Sequence, residues 1–146
     1  MMFDPIGKKK LGHADISCEP AITNPKDCVR NLLKNSEASK NYWCVEGTND
    51  GTVIINFPSN TPNIGGFGFK SSNCNDTHDP IYVVIVSYEN GKCIDHGSHS
   101  LNWRHRRLDT IKVDLDRPIA GKKVEFYFTS KTKTVMLQQI RFDKAK

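Results

Sequence analysis

At 146 residues, 37% hydrophobic and 25% charged, the chain can bury one core and is too apolar to stay disordered. It has no apolar stretch near the ~20 residues of a membrane-crossing helix, and the start Met1-Met2-Phe3-Asp4-Pro5-Ile6-Gly7-Lys8-Lys9-Lys10 lacks the apolar region of a secretory signal. The formal charge of +5 is uneven, with 8 basic and 10 acidic residues up to Gly91 against 13 and 6 from Lys92 on; this fits an anionic partner or a solvated basic face.

Residues 1–12 read as a flexible N-terminal arm, followed by one domain over 13–146. The five cysteines (Cys18, Cys28, Cys44, Cys74, Cys93) are odd in number and form no CxxC pair, unlike a secreted disulfide framework. They are expected to be reduced thiols in an intracellular protein, cytoplasmic or nuclear. Cys18 and Cys28 flank a turn-rich stretch and are the pair to watch for oxidation.

The first regular element expected is a helical turn over Cys28-Val29-Arg30-Asn31-Leu32-Leu33-Lys34, with Asn24 or Asp27 as cap and Pro25 near its first position. Thr52 to Phe57 is β-branched and places Val53, Ile55 and Phe57 on one face of a strand. Gly66 to Lys70 follows a Pro/Asn/Gly turn. Ile81 to Tyr88 is a continuous apolar run, which predicts a strand covered on both faces. Asn90-Gly91 then marks a hairpin. Cys93 to His99 reads as a polar loop after that hairpin, with Cys93 packed inward. Ile111 to Asp116 and Val124 to Thr129 alternate apolar with polar on either side of the turn Arg117-Pro118-Ile119-Ala120-Gly121. Val135 to Phe142 closes the series, with Ile140 and Phe142 inward and Arg141 outward. Short strands with turn signals every 8–12 residues describe a sandwich or barrel.

The order of these motifs resembles the discoidin-like (coagulation factor type C), galactose-binding-like domains. Asn31-Leu32-Leu33 followed by Tyr42-Trp43 matches their opening, in which a Trp plugs the end of the sandwich. Thr52 to Phe57 and Gly66 to Asn73 match the next strands, and Asn75-Asp76-Thr77-His78-Asp79-Pro80 an Asn/Asp-rich turn. Val113 to Pro118, Val124 to Phe128 and Leu137 to Phe142 match the last three strands. The resemblance covers roughly residues 14–143 and implies an all-β, single-domain jelly-roll β-sandwich of about eight antiparallel strands. No cysteine follows Cys93 to tie the first strand to the last, and no exposed hydrophobic spikes stand out; both departures argue against a role on phosphatidylserine membranes. The segment Ser17-Cys18 with Cys28 to Lys34 is also similar to the opening of the N-terminal domain of a DNA-repair scaffold.

Several clusters suggest chemistry. Cys93, His96 and His99 have zinc-ligand types at three-residue spacing, but structural zinc takes four ligands and no second cluster stands out. Asp76 and Asp79, with Asn73 and Asn75, offer oxygen ligands for a structural calcium ion, or simply cap their own turn. Trp103-Arg104-His105-Arg106-Arg107 joins guanidiniums to an indole, suited to phosphates stacked against a base or sugar or to an acidic protein surface. The plainer reading is a strand whose arginines face solvent. Tyr42, Trp43, Asn49 and Asp50 sit where the loops should gather. There they form either an aromatic platform with amide and carboxylate for a sugar, or a core plug beside surface polar groups. No GxSxG, HExxH, P-loop or GxGxxG is present, so an enzyme is not expected.

The sequence therefore points to a non-catalytic binding module without a cofactor other than structural calcium, without membrane insertion, and with its oligomeric state left open. Its first expected partner is a protein or glycan, met through Trp43, Asn49, Asp50 and the loop Asn73 to Asp79. The alternative is a nucleic acid or phosphate ligand, met through Trp103, Arg104, Arg106, Arg107, Lys112 and Lys122.

Overall fold

A computed structural model describes residues 14–21, 28–34, 42–73, 76–104 and 107–146. The N-terminal arm, the capping candidates Asn24, Pro25 and Asp27, and Cys74, Asn75, His105 and Arg106 lie outside the described residues, as does the side chain of Asp76.

Ten strands form among the described residues: β1 (Asp15–Glu19), β2 (Trp43–Glu46), β3 (Asp50–Asn56), β4 (Ile64–Lys70), β5 (Pro80–Glu89), β6 (Lys92–Ser100), β7 (Thr110–Ile119), β8 (Lys123–Ser130), β9 (Thr134–Leu137) and β10 (Gln139–Lys144). They build a five-stranded sheet in the order β1-β3-β8-β5-β6, a three-stranded sheet β10-β4-β7 and a two-stranded ribbon β2-β9, with antiparallel pairing throughout. The expected jelly-roll sandwich is present, with ten strands instead of about eight.

Part of that difference lies in the last segment. Val135 to Phe142 divides at Gln138, which is fully buried. Its backbone N–H donates to the Lys70 carbonyl at 2.9 Å, and its side-chain oxygen accepts from the Asn73 N–H at 3.1 Å. These bonds turn the chain from pairing with β2 to pairing with β4, so one apolar run serves two sheets.

Alternation along the strands drives the packing. Val53 and Ile55, Val83 and Ile85, Val124, Phe126 and Phe128 point inward from the large sheet; Phe67, Phe69, Val113, Ile140 and Phe142 meet them from the small one. Phe67 and Phe126 pack edge to face at 4.8 Å between ring centroids, and Phe69 and Phe128 at 5.6 Å. Each such fully buried side chain contributes about 1.5–3 kcal/mol by leaving water.

Three local expectations change. Cys93 to His99 lies within β6, and Cys93 is exposed. Its partner in the register is Tyr88, on the outer face of the sheet, so the thiol cannot pack inward. β5 is not covered on both faces either: Tyr82 is 38% exposed, and Val84 and Val86 are half-buried. Trp103 and Arg104 lie in the connection between β6 and β7 rather than on a strand. The expected helical turn is a short 3-10 turn over Val29–Leu33. Leu32 anchors it in the core, and the Asn31 side-chain amide donates to the Tyr42 carbonyl at 2.8 Å.

The registers bring the connections after β2, β4, β6 and β8 to one end of the sandwich. That end carries the candidate site.

Candidate ligand-binding site

Buried hydrogen bonds fix the loop end. Ser72 donates both its backbone N–H and its hydroxyl to Asp79 Oδ1, at 3.2 and 3.3 Å. Ser71 and Asp109 bond reciprocally: the Ser71 N–H donates to the Asp109 carbonyl, and the Asp109 N–H donates to Ser71 Oγ, both at 2.8 Å. Asp109 Oδ2 also accepts the Arg104 N–H at 2.6 Å. These bonds tie the β4–β5 connection to the β6–β7 connection, and satisfied buried polar groups of this kind hold loops rigid.

A row of groups runs across the strand ends in the order β3, β8, β5 and the connection after β6. The Ser130 N–H donates to the Asn49 carbonyl at 2.8 Å, and Thr129 Oγ1 donates to Asp50 Oδ1 at 3.1 Å. Ser130 pairs with Pro80, whose carbonyl accepts the Trp103 indole N–H at 2.7 Å. With strands about 5 Å apart, this row forms a ledge about 15 Å long, in whose middle Ser130 and Pro80 are buried. Asn49, Asp50 and Arg104 are exposed on it, and Trp103 is half-buried with its indole N–H already satisfied. Arg107 is exposed in the same connection as Arg104.

Trp43 does not belong to this ledge. It is 0% exposed, tilted against Phe128 at 5.8 Å, with Gly51 beneath it. Among the described residues its indole N–H has no hydrogen-bond partner. A ligand cannot reach the ring, so the plug reading holds and the platform reading of Trp43 is corrected. Two groups at this end were not singled out by sequence reasoning: His78 Nδ1 lies 3.0 Å from Thr132 Oγ1, joining the β4–β5 and β8–β9 connections. His78 sat in the loop Asn73 to Asp79 without being singled out, and Thr132 in no motif at all.

The basic residues are not gathered as proposed. Lys112 pairs with Asp143 at 3.4 Å and Asp114 at 3.8 Å, and Lys122 sits at the opposite end, donating to the Thr61 carbonyl. Arg104 and Arg107 therefore stand apart from Lys122, and Arg106 lies outside the described residues. Among the described residues, Arg104, Arg107, Lys112 and Lys122 do not assemble one basic face.

Calcium takes six to eight oxygens. Asp79 is buried and spends Oδ1 on Ser72, while Asn75 and the Asp76 side chain lie outside the described residues. The described residues here fit a hydrogen-bonded turn and do not compose a calcium cage. For zinc, Cys93 faces outward while His96 and His99 line the flank. Among the described residues no three His, Cys, Asp or Glu side chains are grouped to hold a metal ion.

No family model matches the sequence, and no curated protein matches it. Solved structures do match. An F5/8 type C domain from Bacteroides fragilis superposes with a TM-score of 0.79 at 11% identity, covering 94% of this chain and 96% of that one. The chain has the discoidin-like, galactose-binding-like fold. The chain is also similar to the family 32 carbohydrate-binding module of Streptococcus pneumoniae EndoD, with a TM-score of 0.74 at 10% identity over 92% of this chain and 98% of that one. The family 32 module of C. perfringens NanJ, solved in complex with galactose, gives 0.72 at 8% identity over 88% and 92%. No helix among the described residues is long and apolar enough to cross a membrane.

Proposed function

We propose that this discoidin-like module is a non-catalytic glycan-binding module whose ligand meets the loop end. The observation that carries the reading is the rigid ledge from Asp50 to Trp103. Sugars are held by a few fixed polar groups set beside an aromatic surface, and Asn49, Asp50, Arg104 and the open part of Trp103 supply both. The likeness to carbohydrate-binding modules supports the same reading. The nucleic-acid alternative loses ground because Lys112 and Lys122 are engaged elsewhere.

The test is titration with galactose, N-acetylgalactosamine and a wider glycan array, followed by calorimetry and tryptophan fluorescence. Saturable binding that changes little between ~50 and ~200 mM salt is expected. Asp50→Ala and Trp103→Ala should each weaken it by about tenfold or more. A glycan array without a hit, together with DNA binding that falls steeply over that salt range, would overturn the proposal.

A further inference from the structure

On the flank of the sandwich, away from the loop end, the edge strand β6 of the large sheet faces the edge strand β7 of the small one. Between them opens a cleft of about 540 Å³, lined by Asp95, His96, Gly97, His99, Asp114, Asp116 and Arg117. We propose that this cleft is a second binding site, for a ligand that presents a primary ammonium group. It stands independently of the glycan reading.

The cleft is built by a β-bulge. β5 and β6 shift register between Val84 and Val86: Val84 pairs with Ser98 but Val86 with Asp95, so β6 carries one extra residue. Gly97, at φ 91°, takes the left-handed conformation such a bulge needs. In a regular strand His96 and His99 would face opposite sides. The extra residue puts both on the inner side, with His99 paired to the buried Val83.

Both rings are then fixed. His96 Nε2 lies 2.8 Å from Ser87 Oγ. His99 Nε2 lies 2.8 Å from the His96 carbonyl, which can only accept, so that nitrogen carries the hydrogen. With the hydrogen on Nε2, Nδ1 is the ring nitrogen left to accept a hydrogen bond. Asp95 is held as well, its Oδ1 accepting the Gly97 N–H at 2.8 Å. Asp114 and Asp116 stand exposed across the cleft on β7.

The site is thus rich in acceptors, with the carboxylates of Asp95, Asp114 and Asp116 set against the guanidinium of Arg117 and the Lys112 ammonium 3.8 Å from Asp114, which leaves it negative by one charge. Burial, and then Arg117, hold His96 below its usual value, so its ring adds no charge at pH 7. The other titratable groups acting on it are Glu89, Asp95 and His99. Among the described residues no three His, Cys, Asp or Glu side chains are grouped to hold a metal ion; the acceptors are spread along the cleft. That spread suits a molecule that donates several hydrogen bonds, in a volume typical of small-ligand sites. An ammonium group supplies three donors and the complementary charge.

Calorimetry on the whole chain at pH 7 tests this with glucosamine, spermidine and, as the uncharged control, N-acetylglucosamine. Glucosamine or spermidine should bind at least about tenfold tighter than the control, and Asp114→Asn with Asp116→Asn should weaken that binding by about tenfold. His99→Gln keeps an N–H donor for the His96 carbonyl but replaces the Nδ1 acceptor with a differently placed amide oxygen, so it should weaken binding several-fold without disturbing the far-UV spectrum. Asp15→Asn, on the far edge strand β1, should change nothing. Binding of glucosamine alone assigns an amino sugar, and of spermidine alone a polyamine. Failure of both to bind, equal binding of the control, or indifference to the paired Asp variant and to His99→Gln would each overturn the proposal.

Discussion

Asp79 shows how one side chain sets the loop end. It accepts both donors of Ser72 in a buried position; Asp79→Ala would strand those donors. The expected loss is about 1–3 kcal/mol, read as a lower Tm, with Asp79→Asn losing less because it keeps an acceptor oxygen. If Asp79 serves Ser72 and not calcium, EDTA should leave the Tm of the unmodified protein unchanged. On the outer face of the large sheet, Glu125 accepts from Tyr88 at 3.2 Å and also from Tyr127. The hydrogen bond to Glu125, then burial, hold the Tyr127 phenol well above its usual value of 10.0. Because the native pKa lies above the unfolded one, the protonated phenol stabilises the fold up to about pH 10 and the contribution is lost as the pH rises through the native value. Ultraviolet titration should therefore show the Tyr127 and Tyr88 phenols ionising late, and Glu125→Gln should bring Tyr127 back toward the usual range. Of these roles the sequence offered only the turn capping of Asp79, as the alternative to a calcium ligand; Glu125 looked like an ordinary outward charge.

At the scale of elements, the ribbon β2-β9 closes the loop end by seating Trp43. A Cβ added at Gly51 would stand 2.8 Å from the Trp43 ring. Gly51→Ala should therefore cost about 1–3 kcal/mol by overpacking, measured by denaturant unfolding; a neutral result would mean the indole can shift. The sequence announced most strands, because alternation from Ile111 to Asp116 or Val124 to Thr129 is a local pattern that one sheet face enforces. It did not announce the break at Gln138 or the bulge at Gly97. Both depend on what lies beside the strand: Lys70 and Asn73 for the first, β5 for the second. For the same reason Cys93 to His99 was read as a loop, since a polar edge strand lacks the apolar alternation that marks a covered one.

For the molecule as a whole, one core runs through both sheets. Phe126 lies at its middle, with Phe67, Phe69 and Phe128 within 4.8–6.2 Å between ring centroids. Phe126→Ala should cost about 3–5 kcal/mol. Because the core is shared, near- and far-UV signals should still be lost together in one transition; separated transitions would mean that the sheets unfold independently. By itself the sequence determined an all-β sandwich and its discoidin-like strand order, because inward and outward positions are written residue by residue into each strand. Only the tertiary structure decided which end gathers the loops, that Trp43 is core while Trp103 is half-buried, and that Lys112 and Lys122 stand apart from Arg104 and Arg107. Those outcomes arise where segments distant in the chain meet, and no local pattern encodes which side chains a neighbouring strand will cover.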